Sequence, residues 1–148
     1  MIANEYQYRR TQAAAKKFRR ALDKPVAPAR PGVHPRLLKA EHEALASQLG
    51  DLERELTDYE RLKKDRSSRI EIGSVAGIGQ GLIRARIAAG LSQKQLADRL
   101  GVKPQQIQRY ETAQYATASL RRLDEVARGL GVRIDRPIVF AASRASPR

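Results

Sequence analysis

Gln93-Lys-Gln-Leu-Ala-Asp-Arg-Leu-Gly-Val-Lys-Pro-Gln-Gln-Ile-Gln-Arg-Tyr110 is the stretch on which the fold of this chain turns. Leu96, Ala97 and Leu100 fall on one side of a first helix, and Ile107 and Tyr110 on one side of a second, as helical periodicity requires. Between them Gly101 suits a corner that needs a positive φ, and Val102 plugs that corner. Ala97 is small where the second helix must pass close above it. Two unrelated amphipathic helices would account for the apolar spacing, but not for a small residue at 97 and a glycine at 101. Both fit two helices packed steeply across a tight turn. Ser92, with Gln95 three residues later, makes a capping box for the first helix, and Pro104 suits the opening position of the second.

Around this pair the chain reads as a dense series of short helices, at residues 82–89, 92–100, 104–111 and 119–128. Three of them run into Gly90, Gly101 and Gly129, a common helix stop. The stretch Leu91-Ser-Gln-Lys-Gln-Leu-Ala-Asp-Arg-Leu-Gly-Val-Lys-Pro-Gln-Gln-Ile-Gln-Arg-Tyr-Glu111 resembles the XRE family of Cro and phage-repressor-type helix-turn-helix proteins. The likeness extends upstream to Arg86 and downstream through Leu120-Arg-Arg-Leu-Asp-Glu-Val-Ala-Arg-Gly-Leu-Gly-Val132. It implies an all-α protein with a five-helix lambda-repressor-like domain over residues 82–136. It also implies double-stranded operator DNA as the partner, bound by a homodimer on an inverted repeat.

The same resemblance suggests roles residue by residue. The helix at 104–111 becomes the recognition helix, with Gln105, Gln106, Gln108 and Arg109 facing base edges; Gln suits adenine and Arg suits guanine. Ser92, Gln93 and Lys94 correspond to positions that grip phosphates, where helix N-termini and cations position the duplex. Lys103, Tyr115, Arg121 and Arg122 are further candidates for phosphate contact. Arg86 and Glu111 match a buried ion pair, an architectural role. One departure is Pro104, which stands where the family often has a polar base-contacting residue, so readout shifts toward Gln105 and Arg109.

Residues 1–69 read as a separate helical region. Tyr8, Thr11, Ala15, Phe18 and Leu22 alternate spacings of three and four over residues 6–22, with Arg9, Arg10, Lys16, Lys17, Arg19 and Arg20 outside that stripe. Pro25, Pro28, Pro31, Gly32 and Pro35 then end the helix. A longer helix over 36–66 places Leu38, Leu45, Leu49, Leu52, Leu56 and Tyr59 at heptad a and d positions, with His42 filling one a site. Such a stripe needs a partner. An antiparallel hairpin, in which Asp51, Glu53, Glu55, Asp58 and Glu60 face the basic first helix, and a dimeric coiled coil both satisfy it. A run of cations is usually a solvated face; a supplementary DNA contact and a salt-bridged hairpin are the alternatives.

Residues 70–81 are rich in glycine and read as a linker. Gly77, Gly79 and Gly81 are followed by Leu82 and Ile83, so neither a Walker loop nor a dinucleotide fingerprint is present. The tail at 137–148 carries the apolar, strand-like Ile138, Val139 and Phe140.

Composition narrows the function classes. The chain has 148 residues, 29 Lys and Arg against 16 Asp and Glu, and a net charge of +13, a balance that attracts polyanions. Residues 1–36 carry nine basic and two acidic groups, residues 37–72 seven and nine, and residues 73–136 eleven and five. Two basic blocks thus flank an acidic one. With no Cys and only His34 and His42, thiolate metal sites and disulfides are excluded, and no metal or cofactor is expected. Apolar runs are too short to span a membrane, which points to a cytoplasmic, nucleoid-associated protein with no membrane partner. No catalytic constellation emerges, and the chain is expected not to be an enzyme.

Three readings follow. The first is a sequence-specific transcriptional regulator, of repressor type. The second is an antitoxin that holds a cognate toxin and represses its own operon: an N-terminal helical section opening with Asn4, Glu5, Tyr6 and Tyr8 ahead of a repressor-like domain is similar to HigA-type antitoxins. The third is a coiled-coil interaction module that no longer reads DNA.

Overall fold

Two long helices open the chain. In the computed structural model, which describes residues 1–24, 33–65 and 69–133, α1 (Glu5–Leu22) starts where the Asn4 side chain accepts a hydrogen bond from the Gln7 amide at 2.9 Å. That cap satisfies one of the amides a helix start leaves unpaired. α2 (Pro35–Lys64) opens with proline in its first turn and the His34 ring accepting from Arg36 N. At about 1.5 Å per residue it is roughly 45 Å long. The prolines at 25, 28 and 31, Gly32, and the tail residues Ile138, Val139 and Phe140 lie outside the described residues.

α1 and α2 form the antiparallel hairpin. Glu5 meets Lys63 at 3.1 Å, the Tyr8 hydroxyl donates to Glu60 at 2.6 Å, and Arg19 pairs with Glu53. Early residues of one helix thus face late residues of the other. Tyr8 and Tyr59 stack with ring centroids 5.2 Å apart, and Ala15 and Leu49 are also buried in the hairpin. The heptad stripe is unevenly buried: Leu49 and Tyr59 are buried, Leu38, Leu45, Leu52 and Leu56 are half-buried, and His42 is exposed.

A 3-10 turn (Val75–Gly77), capped by Ser74, leads into α3 (Ile78–Ala88). The domain boundary expected at residue 82 therefore falls inside a helix, and Gly79 and Gly81 are buried helical residues. Gly79 has a steric reason to be glycine. A Cβ there would stand 1.9 Å from the Gln114 carbonyl oxygen, so the residue marks a close approach of helix and loop. The chain continues through α4 (Gln93–Leu100), α5 (Pro104–Thr112) and α6 (Leu120–Leu130). Of the five helices expected for the domain, these four lie among the described residues, where every regular element is helical.

One fully buried side chain comes from each of α3, α4, α5 and α6: Ile83, Leu96, Ile107 and Val126. Each removes most of its apolar surface from water, worth about 1.5–3 kcal/mol apiece. The hairpin contributes to the same core. Ile2, at 3% exposure, and Tyr59 and Leu62, both at 7%, pack into the cluster formed by the short helices. The hairpin is therefore bonded to the helical domain through shared side chains as well as through the backbone. Among the described residues no helix is long and apolar enough to cross a membrane, and no group of three or more His, Cys, Asp or Glu is placed to hold a metal.

Candidate nucleic-acid interface

The α4–α5 pair is built from local signals outward. Ser92 Oγ accepts from Gln95 N at 3.1 Å while Gln95 Oε1 accepts from Ser92 N at 2.8 Å, closing the capping box. At the other end Gly101 takes φ 66° and ψ 31°, and the Val102 amide donates back to the Ala97 carbonyl at 3.0 Å. A side chain at 101 would strain that left-handed backbone. Leu96 and Ala97 are completely buried, as is Ile107 on the facing helix. Pro104 then starts α5 with Lys103 as its cap residue.

A buried ion pair fixes the far end of α5. Arg86 Nε donates to Glu111 Oε1 at 2.5 Å and Arg86 Nη2 to Glu111 Oε2 at 2.7 Å. Arg86 Nη1 donates to the Leu91 carbonyl at 2.7 Å and Nη2 also to the Ala3 carbonyl at 2.5 Å. One guanidinium thus ties together α3, the α3–α4 turn, α5 and the segment preceding α1. Both side chains are almost wholly removed from solvent, at 3% and 1%. A bidentate Arg–carboxylate pair in which every guanidinium nitrogen also finds an acceptor is the arrangement in which burial of charge is tolerated.

With the inner face so held, Gln105, Gln108 and Arg109 stand exposed along the outer face of α5. Gln106 is half-buried and donates its amide to the Tyr110 hydroxyl at 3.3 Å, so it is less free than its neighbours. Lys94 and Lys103 flank the row and are exposed. Among the described residues neither they nor Arg109 has a carboxylate partner. These side chains make a compact face carrying uncompensated positive charge and hydrogen-bonding amides.

Several expected phosphate contacts are placed differently. Tyr115 is a correction: at 3% exposure it lies in the core, stacked on Tyr110 with centroids 5.7 Å apart. The backbone after α5 passes through positive φ at Gln114 and Tyr115 and carries the ring inward beside Gly79. Burial, with the Glu111 carboxylate adding to it, pushes the phenol well above its ordinary range, and the same burial keeps its hydroxyl from meeting phosphate at the surface. Gln93 is half-committed, donating its side-chain amide to Glu111 at 2.8 Å. Ser92 acts as the helix cap. Arg121 and Arg122 share Glu125 at 3.4 and 2.7 Å, which offsets part of their charge.

The Ala3 carbonyl on Arg86 and the insertion of Ile2 were not legible in advance, since no pattern of three or four residues announces a contact 83 positions away. The family model described as Helix-turn-helix matches residues 82–136. No curated protein and no solved structure matches the chain. The matched segment runs from within α3 past the end of α6 and contains the whole of the ion pair, the glycine corner and the exposed face of α5. Residues 82–136 belong to the helix-turn-helix family of the XRE type, and the chain carries the DNA-binding domain of a transcription regulator.

Proposed function

We propose that this protein binds a specific double-stranded operator with α5 in the major groove, and acts by occupancy of that site with no catalytic step. The observation that supports this reading is the exposed row Gln105, Gln108 and Arg109, on a helix whose opposite face is locked by Ile107 and Glu111. A rigid helix with amide and guanidinium groups outward matches base-edge recognition. Lys94 and Lys103 serve as phosphate contacts that set the register. A homodimer on an inverted repeat, with half-sites about one helical turn apart, follows if two copies are related by a two-fold axis.

The test is a comparison of variants on operator and on random duplex. Gln105→Ala and Arg109→Ala should each lose about 1–3 kcal/mol of preference for the operator and little affinity for random DNA. Lys94→Ala should weaken both and flatten the salt dependence by about one contact. Equal losses on both DNAs for all three variants would remove α5 from the role of reader.

A second reading keeps this domain and adds a toxin held by the hairpin. It is favoured by the first half of α2, where Leu37 is 54% exposed and Leu38 and Leu45 are only half-buried. Co-expression with the neighbouring gene product and loss of the complex on Leu38→Asp would support it; a hairpin indifferent to that substitution would not.

A further inference from the structure

We propose that the outer face of α1 is a second surface for duplex DNA, engaging backbone phosphates beyond those reached from α4 and α5; this rests on the reading of residues 82–136 as DNA-binding. At about 100° per residue, the stripe Tyr8, Thr11, Ala15, Phe18 and Leu22 that faces α2 lies opposite Arg9, Arg10, Lys16, Lys17, Arg20 and Lys24. All six cations are exposed. Between the first and the last, α1 and its cap advance roughly 22 Å along the helix axis, the length of about six base pairs of duplex.

Among the described residues no ion pair neutralises this face. Six of the seven carboxylates of α2 are engaged elsewhere: Glu43 by Lys39, Asp51 by Arg54, Glu53 by Arg19, Glu55 by the Met1 amino group, Asp58 by Arg61 and Glu60 by the Tyr8 hydroxyl. On α1 itself Glu5 is held by Lys63, and Asp23 follows the last turn. Among the described residues none of the six cations makes an ion pair; Arg10 alone has a ring contact, lying 5.8 Å from the centre of Tyr6. Six unpaired like charges on one helical face repel each other and hold counterions, whose release into bulk water favours binding to a polyanion.

Two observations select duplex DNA among polyanions. The apolar stripe of α1 is already used against α2, so the helix has no free apolar face with which to enter a membrane interface. Its start is also fastened to the DNA-binding domain, with Ile2 in the shared core and the Ala3 carbonyl on Arg86 at 2.5 Å. α1 therefore stands at a fixed offset from a duplex held by α5, and a second contact made from it would be intramolecular.

The experiment uses the full-length protein and random-sequence duplexes, followed by fluorescence anisotropy across a salt series. One duplex has about 12 base pairs, roughly one helical turn, and the other about three times that. Arg10→Gln/Lys17→Gln/Arg20→Gln/Lys24→Gln is compared with a charge-matched control, Lys39→Gln/Arg54→Gln/Arg61→Gln/Lys64→Gln on α2. The α1 variant should flatten the slope of log affinity against log salt by about 2–4 on the long duplex. It should leave the short duplex unaffected, and the control should behave as wild type on both. Helicity by circular dichroism verifies that both variants fold. An α1 variant with the wild-type slope on the long duplex overturns the proposal, as does an equal loss in the control. Preferential loss of binding to an acidic polypeptide, with DNA binding intact, would reassign the face to a protein partner. A wild type that binds neither duplex would instead defeat the helix-turn-helix reading on which all of this stands.

Discussion

The α4–α5 pair and the α1–α2 pair are held together by different means. The first joins helices of 8 and 9 residues, the second helices of 18 and 30. Helices shorter than about 12–15 residues are marginal in water alone, so α4 and α5 depend on tertiary burial, and Leu96, Ala97 and Ile107 are wholly enclosed. The hairpin helices carry more of their own stability. Between them lie a half-buried stripe and exposed ion pairs, each worth about 0–1 kcal/mol. Besides buried Ala15 and Leu49 within the hairpin, Ile2, Tyr59 and Leu62 anchor the N-terminal region in the core of the short helices. Sensitivity to substitution should therefore follow depth in that core more closely than membership of either pair.

The largest expected effect tests this at the ion pair. Glu111→Ala leaves Arg86 charged and without its carboxylate partner in the interior, and should cost about 3–5 kcal/mol in chemical denaturation. Replacing both partners with apolar residues, Arg86→Met with Glu111→Leu, should recover much of that loss. If the single variant were nearly neutral, the ion pair would not be the closure of α5 described above.

Ile2→Ala comes next, at about 2–4 kcal/mol, because the residue is 3% exposed. Its diagnostic value lies in cooperativity. One transition, shifted for the whole chain, is expected by circular dichroism and by a probe placed on α6; a separate early transition for the hairpin would show that the two pairs do not share a core. Gly79→Ala should cost about 1–3 kcal/mol, since the Gln114 backbone must retreat to admit a methyl group. An unchanged melting curve would mean that the loop after α5 gives way more easily than its packing implies. The smallest effect is expected for Leu45→Ala, about 1 kcal/mol or less for the isolated chain, since the side chain is only half-buried. A large loss that depends on protein concentration would mean that the exposed half of α2 is an interface between copies.

The site was legible unevenly, and for a physical reason. Ser92 with Gln95, Gly101 and Pro104 act within four residues of themselves, through caps and backbone angles, and each lies where its local chemistry points. Arg86 and Glu111 were identified through resemblance, and they meet. Tyr115 was misplaced because its direction depends on two residues at positive φ, a conformation that neither side chain advertises. The glycines at 79 and 81 suggested a linker, since a sequence does not distinguish glycine used for freedom from glycine used for close approach. The heptad stripe indicated that α2 needs a partner, and α1 supplies one, with Leu49 and Tyr59 buried and His42 left exposed.

From the sequence alone came what short-range forces determine: helix periods, caps, the glycine corner and the division of charge between the faces of α1. Tertiary structure decided which faces meet. That Ile2 enters the core of the DNA-binding domain, that Ala3 shares the guanidinium holding α5, and that Tyr115 turns inward all depend on contacts between distant residues. Such contacts form only when burial and hydrogen bonding offset the entropy of bringing remote segments together, and that balance belongs to the whole fold.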